Sequence, residues 1–453
     1  MNPSSITEQW NNKALFSLIL PLIIEQILAV TMGAVDTIMV SSIGEFAVSG
    51  VNIVDNINNL FIIAFTALCT GGAVVVSQYI GRRDPKNAGL ASRQLIYLVG
   101  VVSAAIMALT VPLRRPIITL LYGNIEADVM EAAAVYFLIT ALSYFFLGIY
   151  NACAALFRAA GNSGVTMRVA LLVNVMNIGG NAVFIFGLKI GVAGAALSTL
   201  LSRIAAASIL FGMLALTRKG PVSLAGIFKV NLVRRTMRSI LNVGIPSGLE
   251  SSMFQMGRLL TQRIFTAYGT SAFAANAVAS VINSFSFMPG QAYCIALLTV
   301  VGQCVGSGDY AAAKKYTFKI MKMAYLTILV VNLAVYLFMD PLIGLFNLSG
   351  EAHDLAKTFL RVHCVSMTVG WAMSFALPNA LRAAGDARFV MIAASVSMWT
   401  VRVSAAYFLT FTLGAGPLGV WLAMGGDFLV RGACYLSRWL SGRWQEKSVL
   451  PPG

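Results

Sequence analysis

The sequence predicts an all-α membrane protein of twelve transmembrane helices, arranged as two lobes of six helices each. Hydrophobic residues make up 58% of the 453 residues and charged residues only 11%, whereas soluble domains contain about 25% charged residues. Twelve apolar segments are long enough to cross a bilayer, which takes about 20 residues per helix. The two halves also repeat the same motifs at a constant offset: Pro246 and Glu250 repeat the pair Pro21 and Glu25.

Short polar connections separate the twelve predicted segments. The first segment lacks a small-residue cleavage site, so we expect it to remain in the protein as a membrane helix rather than to be removed as a signal peptide. The segments cover residues 14–40, 51–80, 93–113, 131–157, 166–188, 192–216, 240–267, 274–305, 320–346, 354–381, 389–413 and 417–440.

Basic residues mark one side of the predicted membrane domain. Arginine and lysine gather in the connections after the second, fourth, sixth, eighth and tenth segments, whereas acidic residues predominate on the other side. Because loops rich in arginine and lysine stay in the cytoplasm, we expect a multi-pass protein of the inner membrane with both termini in the cytoplasm. The same pattern accounts for the net charge of +15, so the charge does not indicate a nucleic-acid partner.

The repeat defines the predicted domain organisation. Each half holds six segments, an even number, so the lobes should be related by a pseudo-twofold axis along the membrane normal. We predict an N-lobe at residues 1–216, a cytoplasmic linker at 217–239 and a C-lobe at 240–453. Two such bundles enclose a central cleft, and opening it to each side in turn is the mechanism of a secondary transporter. The repeated motifs include VVVSQYIGRRD with TVVGQCVGSGD, LFRAAGN with ALRAAGD, and GVAGAAL with GPLGVWL.

Asp36, in the first segment, is the sharpest candidate for a functional residue. A charged side chain at the centre of a transmembrane helix costs about 2.5–3.5 kcal/mol on insertion scales. We therefore expect the carboxyl either to bind and release protons or to hydrogen-bond with neighbouring helices. Pro21 removes a backbone hydrogen bond from the same helix and favours a bend there.

The fifth segment carries three asparagines on one face. Asn174, Asn177 and Asn181 are spaced by three and four residues, which aligns them on a helix. Their carbonyls suit a cation or a carboxylic acid, and Thr199 of the sixth segment could join them. Hydrogen bonding between helices is the competing interpretation.

Other polar and adaptable side chains are candidates for a substrate cavity or for structural pairs. Glu25 and Glu250 occupy equivalent positions of the repeat, and Asp427 with Arg431 has the spacing of an intrahelical pair. Methionine and aromatic surfaces suit a promiscuous pocket, although ordinary packing also explains each one. The cavity candidates are Glu25, Asn174, Glu250, Gln255, Met256, Gln262, Phe285, Met288 and Gln291.

The sequence shows no enzyme motif. The six cysteines lack metal-binding spacing, and His353 and His363 are too few for a zinc site or a histidine-based triad. HExxH, GxSxG and Walker motifs are absent from the sequence. We expect no catalytic residue and no cofactor, with H⁺ or Na⁺ as the coupling ion.

Together, the motifs resemble the multidrug and toxic compound extrusion (MATE) family over residues 14–440. The resemblance is carried by AVDTIMVSSIG, VVVSQYIGRRD, ALFRAAGNS, NVMNIGGNAVFIFG, GVAGAALST, VGIPSGLE and ALRAAGDAR. It implies an antiporter with a V-shaped central cavity that exports small organic cations and drugs across the lipid bilayer in exchange for H⁺ or Na⁺. We expect it to work as a monomer.

The resemblance also implies roles for individual residues. Asp36 matches the coupling aspartate of the family and Pro21 its bend site, while Asn177, Asn181 and Thr199 match an N-lobe cation site. This set is a possible Na⁺ site, although Asn181 replaces an acid found in one branch.

Two C-lobe positions bear on the branch of the family. Phe254 and Trp371 stand where a second branch carries acids, so we expect no ion site of that kind in the C-lobe. The branch stays open, and a DinF-like one is among the candidates. A related flippase for a lipid-linked saccharide or polysaccharide is the alternative function, because Arg258 and Arg263 would suit a cationic cavity.

Overall fold

A computed structural model describes residues 10–217, 220–447 and 449–450. These residues fold almost entirely as helices, and no strand occurs among them. Each of the twelve predicted segments coincides with one helix or with consecutive helices. The chain forms two compact units, Asn12–Gly244 and Ile245–Gly453. The first unit takes in the predicted linker as well as the predicted N-lobe.

The first unit begins with seven long helices. The chain bends by 47° at Ser143, between the helices Ala127–Leu142 and Tyr144–Ala159. The next helix, Ser163–Asn181, continues as a π-helical turn over Ala182–Gly187. The helices are α1 (Asn12–Ser41), α2 (Glu45–Gly81), α3 (Pro85–Tyr122), α4 (Ala127–Leu142), α5 (Tyr144–Ala159), α6 (Ser163–Asn181) and α7 (Val192–Leu216).

Apolar side chains from several helices hold this unit together. Helix α1 packs mainly on α6, α2 packs on α3, α4 and α5, and α7 packs on α4, α5 and α6. Phe65, Phe137 and Tyr144 are fully buried in the core that these helices share. Within a bilayer such packing stabilises the unit through van der Waals contact, which fixes the interior around its polar residues.

Residues 220–233 of the predicted linker 217–239 are irregular and are bound to α3, whereas residues 234–239 already belong to the long helix Arg234–Ala267. The side chain of Gln94 donates to the carbonyl of Asn231 at 2.6 Å and accepts from the backbone N–H of Val233 at 3.1 Å. Tyr97 donates to the carbonyl of Ile227, and Arg93 donates to a carbonyl of the same segment at 3.0 Å. Residues 218 and 219 of the predicted linker lie outside the described residues.

Among the described residues, the second unit contains more π-helical turns than the first. The helices are α8 (Arg234–Ala267), which begins in the first unit, α9 (Gly269–Gly306), α10 (Tyr310–Leu337), α11 (Met339–Gly344), α12 (Gly350–Trp371), α13 (Leu377–Ala383), α14 (Ala387–Ser397), α15 (Ser404–Tyr407) and α16 (Leu418–Leu440). Three π-helical turns, Ala372–Ala376, Met398–Val403 and Phe408–Thr412, interrupt the later helices. Helix α9 packs on α10, α12 and α13, and α16 packs on α12.

Most of these helices could cross a membrane by length and composition. Nine described spans pass that test alone, and α4 with α5 makes a tenth as a bent pair. The two remaining segments are the long helices α8 and α16, which carry Arg258 and Arg263 and Asp427 and Arg431 in their interiors. The fold is therefore that of a multi-pass helical membrane protein, as the sequence predicts.

The repeated VVVSQYIGRRD and TVVGQCVGSGD motifs end on equivalent helix caps. Asp84 accepts the backbone N–H of Asn87 at 3.0 Å at the start of α3. Asp309, its counterpart in the second motif, accepts the backbone N–H of Ala312 at 2.8 Å at the start of α10. Such caps satisfy a free N–H group of the first helical turn. The N–H of Asn87 also holds the pKa of Asp84 below its usual value.

Candidate functional site

The first unit brings Asp36 together with the three residues predicted to accompany it. Asn181 Nδ2 donates to Asp36 Oδ1 at 2.5 Å and lies 3.5 Å from Asn177 Oδ1. Asn177 Nδ2 in turn donates to Thr199 Oγ1 at 3.3 Å. Asn177, Asn181 and Thr199 are buried, while Asp36 is half-buried. A single hydrogen-bonded chain thus joins α1, α6 and α7.

Close packing of α6 on α7 makes this chain possible. Ser198 Oγ donates to the backbone carbonyl of Asn177 at 2.7 Å. A Cβ on Gly180 would lie only 2.4 Å from Ser198 Oγ, so a larger residue there would displace the serine hydroxyl. Asn181 Oδ1 is buried and has no hydrogen-bond partner. An unpaired buried acceptor is costly, and it is suited to a proton donor or a cation.

The structure adds a second carboxylate and an arginine that sequence reasoning missed. Asp55 lies on α2 and Arg203 on α7, and both act electrostatically on Asp36. Asn58 Nδ2 donates to Asp55 Oδ1 at 3.3 Å, and Tyr136 also hydrogen-bonds to Asp55. Both charged residues lie inside predicted membrane segments, so the criterion that singled out Asp36 would also have found them.

Tyrosine and serine hydroxyls complete this second group. The hydroxyl of Tyr144 donates to Asn58 Oδ1 at 2.5 Å. Arg203 Nη1 donates to Ser143 Oγ at 2.7 Å, at the bend between α4 and α5. With both carboxyls ionised, Asp36, Asp55 and Arg203 sum to a charge of −1. One carboxylate is therefore left without a compensating arginine within this group.

Glu25, a predicted cavity residue, lies in an ion pair. It is buried, and its Oε1 contacts Arg158 Nη1 at 3.1 Å. Thr166 donates to its other carboxylate oxygen at 2.8 Å. Asn174, on the same helix as Thr166, donates to the carbonyl of its own helix at Ala170. Both residues thus have partners within the first unit, although Asn174 Oδ1 is buried without one, and their place in a cavity stays a prediction.

Glu250 repeats the same arrangement in the second unit. Its Oε2 contacts Arg382 Nη2 at 2.5 Å, and Arg382 also donates to Asn379 at 2.8 Å. The six other cavity candidates lie on α8 and α9. Met256 and Phe285 are 48% and 57% exposed, which leaves them free to meet lipid or ligand. Gln262 and Gln291 are exposed as well, whereas Gln255 and Met288 are half-buried.

The remaining sequence candidates fall into packed positions. The predicted pair on α16 is confirmed, with Arg431 Nη2 3.4 Å from Asp427 Oδ2. Trp371 is fully buried and stacks on Phe375 at 5.8 Å. His363 is buried too. In the described part of the chain, no three His, Cys, Asp or Glu side chains form a group that could hold a metal ion.

Comparison with known proteins identifies the family. The family model MatE matches residues 21–183 and 246–408. The chain belongs to the MatE family. The two MatE matches begin at Pro21 and Pro246, the prolines that mark the repeat in the sequence, and they have equal lengths.

Relatives and solved structures agree with the MatE assignment. The chain is 28% identical over 443 residues to the "Uncharacterized transporter YisQ" of Bacillus subtilis strain 168. The matched region covers 96% of each chain. It is 27% identical over 447 residues to the "Probable multidrug resistance protein NorM" of Thermotoga maritima, covering 97% of this chain and 94% of the other.

Among solved structures, the fold matches MATE in the bent conformation with a TM-score of 0.88 at 21% identity, covering 98% of this chain and 97% of that one. An outward-facing multidrug resistance MATE transporter matches with a TM-score of 0.90 at 20% identity, covering 99% of each chain. The family resemblance seen in the sequence is confirmed, and this MatE protein is a membrane transporter and not an enzyme.

Proposed function

We propose that the protein is a secondary active antiporter of the inner membrane that exports small organic cations, drugs among them, in exchange for H⁺ or Na⁺. The observation that carries the proposal is the uncompensated carboxylate of the first unit. Asp36 and Asp55 share one arginine, Arg203. In a medium of low dielectric constant a lone charge is expensive, so this group favours binding one positive charge.

A proton, a sodium ion or a cationic substrate would each supply that charge. If two of them cannot bind at once, then binding of the coupling ion releases the substrate, which is the requirement for antiport. The ion shifts the transporter between its states only by its difference in affinity for them. A tenfold difference supplies about 1.4 kcal/mol. Asp36 lies on α1, which also contains Pro21. The proline gives this helix a point at which it could bend when the transporter changes state.

The hydrogen bonds around Asp36 favour H⁺ over Na⁺ as the coupling ion. Asn181 presents its amide N–H to the carboxylate, and its oxygen points away from that bond. Sodium needs several oxygen ligands, so Asn181 would have to turn its oxygen toward the ion. A proton needs only the carboxylate itself.

Transport in proteoliposomes tests the proposal. Purified protein is reconstituted with an imposed pH gradient or an imposed Na⁺ gradient, and movement of a fluorescent organic cation is followed. We expect movement under the pH gradient and no movement in Asp36→Asn, although that variant inserts and folds. Asp354→Asn is the matched control, because the side chain of Asp354 is 87% exposed, and it should transport like the wild type.

Two results would contradict the proposal. Full gradient-driven transport by Asp36→Asn would show that ion coupling resides elsewhere in the chain. Failure of the wild-type protein to move any organic cation under either gradient, with movement of a lipid-linked saccharide, would show that the protein is a flippase.

A further inference from the structure

The second unit contains a buried cluster of charges whose net charge is opposite in sign to that of Asp36, Asp55 and Arg203 in the first unit. Asp427 on α16 is fully buried and accepts a hydrogen bond from Ser397 Oγ at 2.6 Å. Arg431 approaches the other carboxylate oxygen at 3.4 Å and Arg402 at 3.7 Å. The side chains of Arg402 and Arg431 are only 9% and 3% exposed. Two buried guanidinium groups therefore share one carboxylate.

Several donors of these arginines are buried without a hydrogen-bond acceptor. They are Nε of Arg402 and Nε of Arg431, together with Arg402 Nη1 and Arg431 Nη2, which face Asp427 at ion-pair distance without forming a hydrogen bond. Arg258, which is exposed on α8, also acts electrostatically on Arg402. The cluster of Arg258, Arg402, Arg431 and Asp427, here called the arginine cluster, has a charge of +2. A buried charge that is not fully compensated is costly, so an anion in contact with these donors would relieve part of that cost.

Aromatic rings compensate the cluster only in part. The guanidinium of Arg402 lies 5.1 Å from the ring centre of Phe254, and that of Arg431 lies 4.6 Å from the ring centre of Phe375. Such contacts stabilise a cation by about 0.5–2 kcal/mol through the ring face. A ring face leaves the in-plane N–H groups of a guanidinium unsatisfied. Those groups form the planar fork that matches the two oxygens of a carboxylate or phosphate.

The backbone around the cluster also departs from the repeat. The offset that relates Pro246 to Pro21 makes Arg402 the counterpart of Asn177. The second unit therefore has an arginine at a position where the first unit has an amide. Arg402 lies in the π-helical turn Met398–Val403, and Phe375 in the π-helical turn Ala372–Ala376. The equivalent stretches of the first unit are ordinary α-helix. Single π-helical turns are frequent at functional sites, and these two aim an arginine and an aromatic ring at one point.

We propose that the arginine cluster binds an oxyanion, that is, the carboxylate, phosphate or sulfonate group of a small molecule or of a lipid. The guanidinium groups of Arg402 and Arg431 hold the oxyanion, and the exposed Arg258 attracts it from the α8 side. Asp427 orients the two arginines and offsets one of their charges. The cluster lies wholly in the second unit, so this proposal is tested independently of ion coupling at Asp36.

Equilibrium binding of radiolabelled benzoate tests the proposal. Full-length protein in nanodiscs of neutral phosphatidylcholine should bind benzoate saturably at one site. Arg402→Gln and Arg431→Gln should each weaken binding at least tenfold, while Arg402→Lys should retain part of it. Asp427→Asn should tighten binding several-fold because it removes the competing negative charge, a gain that misfolding cannot produce. Arg361→Gln, at an exposed arginine of α12, is the matched control and should bind like the wild type.

Adding phosphatidylglycerol to the nanodiscs separates the two sources of the oxyanion. Competition with benzoate would identify a lipid headgroup as the occupant, and no competition would identify a small soluble anion; either result supports the site. Absence of saturable benzoate binding by the wild-type protein in neutral nanodiscs would overturn the proposal. Unchanged binding in Arg402→Gln would overturn it as well.

Discussion

Replacing Glu25 by glutamine should destabilise the protein through its ion pair with Arg158. Glutamine has nearly the same size and keeps an oxygen that can accept from Thr166, so the change removes little besides the charge. Two unit charges 3.1 Å apart attract by about 5 kcal/mol at an effective dielectric constant of about 20. Loss of one partner from a buried pair costs about 3–5 kcal/mol. Because the two side chains are 10% and 18% exposed, we expect a loss of about 3 kcal/mol.

Equilibrium unfolding in mixed micelles with sodium dodecyl sulfate measures this loss. The single variants Glu25→Gln and Arg158→Gln and the double variant complete a double-mutant cycle, in which we expect a coupling energy of about 2 kcal/mol. Glu250→Gln is the matched variant of the second unit and should also lose stability, because Glu250 contacts Arg382 at 2.5 Å.

The transport assay decides whether this pair is structural. If Glu25→Gln unfolds like the wild type but loses all gradient-driven transport, Glu25 belongs to the transport machinery and the structural interpretation is wrong. A coupling energy near zero would also refute the magnitude derived from the contact.

Two further predictions concern the helix caps and the close packing of α2. Asp84→Ala should lower the free energy of unfolding by about 1 kcal/mol. Because the N–H of Asn87 lowers the folded-state pKa of Asp84, this contribution is present above about pH 4 and should disappear as the pH falls through the folded pKa. Unfolding of the wild type and the variant across this pH range measures the effect. Gly71→Ala should destabilise by about 1–3 kcal/mol, since its Cβ would lie 2.3 Å from the carbonyl oxygen of Ile240, whereas Gly212→Ala, with no atom within 4 Å, should melt no lower than the wild type.

The helical architecture could be predicted from the sequence because lipid leaves few alternatives. A membrane-spanning segment must satisfy its backbone internally, so an apolar run of sufficient length forms a helix whatever its neighbours are. The repeat could be predicted too, because constant spacing needs no knowledge of contacts. For the same reason the helical spacing of Asn177 and Asn181 placed them on one face, where Asp36 contacts the second of them.

The partners of the charged residues could not be predicted, because they come from distant parts of the chain. Glu25 and Arg158 are 133 residues apart, and only the packed helices bring them into contact. Without knowledge of its partner, the carboxylate of Glu25 in a membrane segment indicates a cavity residue. Asp55 and Arg203 differ from Glu25, because each is a charged residue inside a predicted membrane segment and could have been predicted by the criterion that singles out Asp36. The π-helical turn that positions Arg402 has no sequence signal of its own.

The ion pairs of Glu25 and Glu250 have a consequence for the origin of the chain. Each pair closes within one unit, Glu25 with Arg158 and Glu250 with Arg382. A single six-helix ancestor would thus have possessed this bond before gene duplication joined two copies. Arg402 and its counterpart Asn177 show that other equivalent positions of the two halves now carry different chemistry.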